Sequence, residues 1–168
     1  MSKYKVIGPI KISYQKGKRG LYISENSITE FWKESKVEKI KKDKGCYVFG
    51  IRAAKGIIPY YVGMTSRRDF ENECFTDHKC NKYNHVLSET GKGSPVMFFV
   101  VHPTKRGKTN ARQIREIEEF LTKLESTRNE DNLNVQNNKN EDWAILGVTG
   151  GRKPSSSAKE FKKMMGIS

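Results

Sequence analysis

Two triplets of glycine and tyrosine, Gly45-Cys46-Tyr47 and Tyr61-Val62-Gly63, bound the stretch GCYVFGIRAAKGIIPYYVG. Two phenols beside glycines make a surface that a ligand can approach closely, because glycine lacks the side chain that would hold it off. A phenol titrates near pH ~10, so it accepts a proton at neutral pH only where a metal ion or a cation lowers that value. The same residues also suit two half-buried strand positions, since tyrosine is common in sheets. Spacing alone leaves chemistry and packing both open.

The elements that must position these residues are legible in outline. Residues 46–51 and 57–64 are rich in β-branched and aromatic side chains and read as a hairpin joined through RAAKG. Alternation puts Tyr47, Phe49 and Ile51 on one face, opposite Cys46 and Val48; in the second strand it sets Tyr61 and Gly63 opposite Tyr60 and Val62. PVMFFVVHP at 95–103 is a continuous apolar run, which predicts a central buried strand. ARQIREIEEFLTKLE at 111–125 predicts a helix with Ile114, Ile117, Phe120, Leu121 and Leu124 on one stripe, and another helix is expected over residues 79–88.

Toward the N-terminus, YKVIGPIKISY reads as a strand and QKGKRG as a basic turn. Ser27-Ile28-Thr29-Glu30 then reads as a capping box opening a helix that runs to Lys42. After a polar loop, WAILGV reads as a short strand, TGGRKPSSS as a basic loop and AKEFKKMMG as a terminal helix started by a serine. The expected class is α/β (α+β): a small central β-sheet of about three core strands flanked by helices, with basic N- and C-terminal extensions. Residues 1–44 form a basic accessory segment in this reading, 45–135 the core, and 136–168 a strand, basic loop and helix packing on that core.

A chain of 168 residues is long enough for one domain with a buried core. Lys and Arg number 32 against 19 Asp and Glu, and the resulting charge of +13 favours a polyanionic partner such as nucleic acid over a neutral small molecule. Only residues 111–145 are locally acidic, which suits either a cation site facing a phosphate or a solvated helix face. Cys46, Cys74 and Cys80 form no CxxC pair, so neither a disulfide framework nor a closed zinc site is expected, and a reduced cytoplasmic setting is. The opening MSKYKVIGPIKISYQKGKRG carries no apolar signal core, and no run reaches the length of a membrane span. GVTGGRKPS fails as a phosphate loop, because Arg152 and Pro154 occupy the places of the second glycine and the hydroxyl residue.

Taken together, Gly45-Cys46-Tyr47, Tyr61-Val62-Gly63 and Glu118 in a later helix resemble the GIY-YIG nuclease superfamily over residues 45–135. The resemblance implies a metal-dependent DNA endonuclease that hydrolyses phosphodiester bonds with a Tyr-activated water. It also implies a divalent ion, Mg²⁺ or Mn²⁺, held by Glu118 and water. That chemistry is coherent, since phosphodiester cleavage needs an activated water, a Lewis acid and a cation aimed at the developing charge. Tyr47, at the start of its strand, is the phenol expected to face the attacking water. At ~100° per residue, Glu118 falls on the border of the apolar stripe, Glu119 points to solvent and Glu116 lies on the other border. Ile117-Glu118-Glu119-Phe120-Leu121 is also similar to the family's apolar-Glu-x-x-Leu form.

The cationic position departs from the family. Where its members usually carry an arginine, this chain has Glu71, and Arg67 and Arg68 come too early. Lys79-Cys80-Asn81-Lys82-Tyr83 resembles the family's Arg-x-x-x-Tyr unit, which implies Lys79 as the phosphate clamp with Tyr83 or His78 beside it. Lysine lacks arginine's bidentate fork, so weaker or slower catalysis is expected. Asn134 stands where the family often has a supporting asparagine. Lys16, Lys18, Arg19, Arg67, Arg68, Arg152 and Lys153 are expected to grip nucleic acid, DNA in first place, the first three without joining in chemistry. The alternative is a nucleic-acid-binding module of the same fold that is catalytically weak or inactive. A homodimer is open, since double-strand cleavage calls for two sites.

Overall fold

The computed structural model describes residues 1–103, 107–127, 142–151 and 153–167. The chain opens with strand β1 (Ser2–Lys11), a small hairpin of β2 (Gln15–Gly17) and β3 (Gly20–Tyr22), and helices α1 (Glu25–Lys33) and α2 (Ser35–Glu38). It continues through β4 (Gly45–Ala53), β5 (Gly56–Thr65), α3 (Phe70–Glu73), α4 (Asp77–Thr90) and β6 (Ser94–Val101). Helix α5 (Ala111–Thr127), strand β7 (Trp143–Ile145) and helix α6 (Ser156–Met165) follow.

The expected hairpin and buried strand form as β4, β5 and β6, with β4 antiparallel to both neighbours. They are part of a larger sheet, however: the order is β5-β4-β6-β1-β7, five strands where about three were expected. Strand β1 runs antiparallel to β6 and parallel to β7, so the N-terminal segment lies inside the sheet and is no accessory layer. The class itself, helices around a central sheet, is as the sequence reading has it.

A bulge explains how β1 fits there. Tyr4 and Val6 face one side of the sheet, whereas Ile10, and Ile12 just beyond the strand, face the other, although all four are even-numbered. The register passes from Ile7 opposite Phe99 to Ile10 opposite Met97, so one extra residue reverses the alternation. Gly8 occupies the bulge at φ 127°, and a Cβ there would lie 2.8 Å from the Met97 carbonyl oxygen. Strand β5 uses the same device, with Phe49 opposite Tyr61 and Gly50 opposite Pro59. Tyr60 is the extra residue, and it packs on the same side as Tyr61 instead of opposite it.

Helices cover both faces. On one side Tyr47, Phe49, Ile51, Met97 and Phe99 of the sheet meet Phe31, Trp32, Val37, Phe70, Phe75, Tyr83 and Leu87 from α1 to α4 and the segments between them. Phe31 and Phe75 cross edge to face at 5.0 Å, and Phe70 and Phe99 at 4.8 Å, contacts that add ~0.5–1.5 kcal/mol each beyond their burial. On the other side Cys46, Val48, Phe98 and Val100 meet Ile114, Ile117, Leu121 and Leu124 of α5 and Phe161, Met164 and Met165 of α6. This division of β4 follows the predicted alternation, and the predicted α5 stripe is the buried one.

Capping sets the helix limits. The helix expected from Ser27 starts earlier, because Ser24 is its N-cap and forms a capping box with Ser27. It stops at Glu34, whose extended backbone (φ −61°, ψ 133°) ends α1 and whose carboxylate accepts from the Lys36 amide at 2.8 Å to start α2. Helix α6 begins at Ser155, which accepts from the Ala158 amide at 3.1 Å. Among the described residues the three cysteines are free thiols, and no helix is long and apolar enough to cross a membrane.

Candidate active site

Strand β5 is the outer strand of the sheet, and the two glycine–tyrosine triplets meet along it. Tyr47 of β4 pairs with Gly63 of β5, and its ring lies over that glycine: a Cβ at position 63 would fall 2.3 Å from the ring carbon that bears the hydroxyl. Gly45 is needed in a different way, since its φ is 147° and a Cβ there would stand 2.0 Å from the Val100 carbonyl oxygen. The glycines therefore bring the strands and the first phenol together, which answers why they accompany the tyrosines.

The two phenols differ in access. Tyr47 is completely buried, and its hydroxyl makes no hydrogen bond of normal geometry. Tyr61 lies diagonally across from it, ring centres 6.3 Å apart, and is half-buried. Tyr47 was expected to face the attacking water; the sealed ring rules that out in this conformation, and Tyr61 is the phenol that solvent reaches. Burial pushes the Tyr47 hydroxyl far above the ordinary phenol range, with Cys74, Tyr61 and Glu73 adding to the shift. Tyr61 is also raised, first by burial and then by the charge of Glu118. Both phenols thus carry their protons at neutral pH.

Helix α4 supplies the cations. Lys79 lies 5.5 Å from the centre of the Tyr47 ring, yet its ammonium donates to the Glu73 carboxylate and, at 3.0 Å, to the Glu73 carbonyl oxygen. Only 11% of its side chain is exposed, so the expected phosphate clamp is engaged by an internal partner. One helical turn on, Lys82 stands over Tyr61 at 5.0 Å from the ring centre and is exposed. Tyr83 is a support: its ring stacks on Phe49 at 4.4 Å, and its hydroxyl donates to the Cys74 carbonyl oxygen at 2.8 Å inside the core. His78 is exposed on the first turn of α4.

Glu73 and Lys82 are the residues that sequence reasoning missed. Lys82 had a signal, since it follows Lys79 by one turn on the same helix face. Glu73 lay in a stretch without clear periodicity. It also pairs with Arg68 at 3.6 Å, tying the end of β5 to α3. Thr65 steadies that corner by donating to the Arg68 carbonyl oxygen, which leaves the Arg67 and Arg68 side chains exposed beside the site. Glu71, at the family's arginine position, is held by Lys42 at 2.6 Å and Lys41 at 3.6 Å.

Glu118 comes from α5, the helix packed beneath β5 on the opposite face. Its carboxylate is half-buried and acts electrostatically on both Tyr61 and the Cys46 thiol. Burial raises its pKa, Glu119 adds to that, and Arg115 opposes it. Its neighbour Glu116 is occupied: it accepts from the Trp143 indole at 2.9 Å and pairs with Arg112 at 2.6 Å. Neither Glu118 nor the exposed Glu119 takes part in such a bond among the described residues, and of the two it is Glu118 that is partly desolvated against the sheet. Among the described residues no group of three or more His, Cys, Asp or Glu could enclose a metal ion. One free, partly desolvated carboxylate fits the looser mode of Mg²⁺, which keeps several waters and takes one or two protein oxygens together with substrate phosphate.

The remaining basic residues spread outward. Lys16, Lys18 and Arg19 are exposed on the β2–β3 hairpin, which packs against α4, and Lys153 is exposed before α6. Arg152 and Asn134 lie outside the described residues. No family model matches the chain, and neither curated proteins nor solved structures give a match.

Proposed function

We propose that the chain is a divalent-metal-dependent nuclease of the GIY-YIG kind, hydrolysing phosphodiester bonds in DNA. The reading is carried by one arrangement: Tyr47 seated on Gly63, Tyr61 open beside it, and the half-buried Glu118 of α5, whose charge raises the Tyr61 hydroxyl. Glu118 would hold the Mg²⁺ or Mn²⁺, which when bound draws electron density from a phosphoryl oxygen. The protonated Tyr61 offers a hydrogen bond that orients a water or a phosphate oxygen. Tyr47 fixes the placement of Tyr61 from behind, and Lys82, Arg67 and Arg68 set positive charge around the approaching backbone. A net charge of +13 suits the same polyanion.

A second reading has its own support. Lys79 is neutralised by Glu73, and both phenols hold their protons more firmly than usual, so little phenolate is present to act as a base; both features favour a module which binds nucleic acid with weak or no cleavage. Incubation with supercoiled, linear and branched DNA, with Mg²⁺ or Mn²⁺ and with chelator, separates the two. The nuclease reading expects products that chelator suppresses. Salt-sensitive binding with no product under either metal would replace it with the binding module.

A further inference from the structure

Beside the catalytic face, α4 and the β2–β3 hairpin enclose an open groove of about 690 Å³, lined by Lys18, Arg19 and Tyr22 from the hairpin and Asn81, Asn84 and His85 from the helix. Its construction is specific. Gly17 lies beside Tyr22, where a Cβ would come within 2.9 Å of the ring, so the ring sits close against the backbone. The Tyr22 hydroxyl donates to Gln15 at 2.9 Å, which holds the ring in place while 38% of the residue stays exposed. Gly20 in turn admits Ser88 of α4, where a Cβ would meet the serine oxygen at 2.9 Å. Asn84 ties the two walls by accepting from the Ile23 amide at 2.8 Å through its oxygen, so its amide N–H₂ group remains for another acceptor.

We propose that this groove is a binding site for an unpaired nucleotide, so that the protein engages single-stranded nucleic acid next to the bond it acts on. A base needs a fixed aromatic face to stack on and polar groups at its edge, and its phosphate needs a cation. Tyr22 supplies the first, Asn81 and Asn84 the second, Lys18 and Arg19 the third. A paired base in a duplex has both faces covered and its edge occupied, so this combination discriminates for unpaired strand. The groove and the candidate active site share helix α4: Asn81 lines the groove, and Lys82, the next residue, stands over Tyr61. This rests on the nucleic-acid reading above and adds its substrate class: strands with an unpaired segment, as in a flap or a branch.

The test uses fluorescence anisotropy with a labelled dT oligonucleotide and with a blunt duplex, in chelator so that nothing is cut. Tyr22→Ala is expected to weaken single-strand affinity about tenfold or more while changing duplex affinity less than about threefold. Tyr22→Phe, which keeps the ring beside Gly17, should restore most of the single-strand affinity. Lys18→Gln with Arg19→Gln should lower the salt slope for both nucleic acids. Unchanged single-strand affinity in Tyr22→Ala, equal losses on both, or a wild-type protein that does not bind the oligonucleotide would each overturn the proposal. The nuclease reading fails separately: a protein that binds single strands through Tyr22 and cuts nothing keeps the groove and loses the catalysis. One that cuts DNA without using Tyr22 does the reverse.

Discussion

Gly63 lies directly opposite Tyr47 across the β4–β5 ladder, and the phenol ring fills the space into which any other residue would project its Cβ. Gly63→Ala must therefore displace a fully buried ring or separate two paired strands. The expected cost is ~1–3 kcal/mol in urea unfolding, the usual range for overpacking a close-packed interior, together with loss of cleavage. Wild-type stability in this variant would show that the ring moves aside freely.

The phenols should respond differently to losing the hydroxyl. Tyr47→Phe removes a buried hydroxyl that makes no hydrogen bond of normal geometry and only approaches that of Tyr61, so the melting temperature should rise, since leaving such a group unsatisfied costs ~1–3 kcal/mol. Tyr61→Phe should leave the melting temperature unchanged and reduce the cleavage rate by roughly a hundred- to a thousandfold, the usual cost of removing one hydrogen-bond donor aimed at the reacting group. A large rate loss in Tyr47→Phe with little in Tyr61→Phe would exchange their roles.

Two glutamates on one helix provide an internal control. Glu118→Gln should abolish metal-dependent cleavage with fold and DNA binding retained, because the amide preserves volume and loses the anion. Glu116→Gln should keep cleavage and melt slightly earlier, since its amide oxygen still accepts from Trp143 while the pair with Arg112 is lost. Cleavage lost in Glu116→Gln and kept in Glu118→Gln would reassign the metal ligand.

Alkaline pH should destabilise the protein. Tyr47, Tyr61 and Tyr83 hold their protons above the ordinary phenol value of 10.0, and burial is the first cause in each. Below that value the phenols are protonated in both states and contribute their full stability, while the buried thiols of Cys46 and Cys74, also raised by burial, begin to weaken the fold from their ordinary value of 9.0. Above it the unfolded chain releases protons that the folded chain retains, so stability falls as pH rises further. Urea midpoints measured from neutral pH to beyond 10.0 should decline in this window, and more shallowly in Tyr47→Phe. A flat profile would mean that the buried phenols ionise as readily folded as unfolded.

Much of the candidate site was legible in sequence because β4 alternates without interruption, so Tyr47 separates from Cys46 and Val48 by parity alone. Glu118 was accessible from the angular position of α5, and the occupation of Glu116 by Trp143 and Arg112 supports that choice. Tyr60 was misplaced because one extra residue in β5 shifts parity; Pro59 beside it was the signal, since a proline inside a strand marks an edge or a bulge. The break at Glu34 escaped because glutamate is a poor signal for a helix end. The burial of Tyr47 and the engagement of Lys79 by Glu73 depend on how α3 and α4 fold back onto the sheet, a tertiary relation that local pattern does not carry.

Strand β1 contributes Tyr4 and Val6 to one core and Ile10, with Ile12 just beyond its end, to the other, with the reversal at Gly8 between them. A single ten-residue strand is thus a rivet through both helical layers. Neither layer can open without loosening a segment that the other also relies on, so the two should melt as one cooperative unit. A fragment beginning at residue 45 would keep the tyrosines, Lys79 and Glu118, yet leave the unpaired edge of β6 exposed and both cores missing their shared strand.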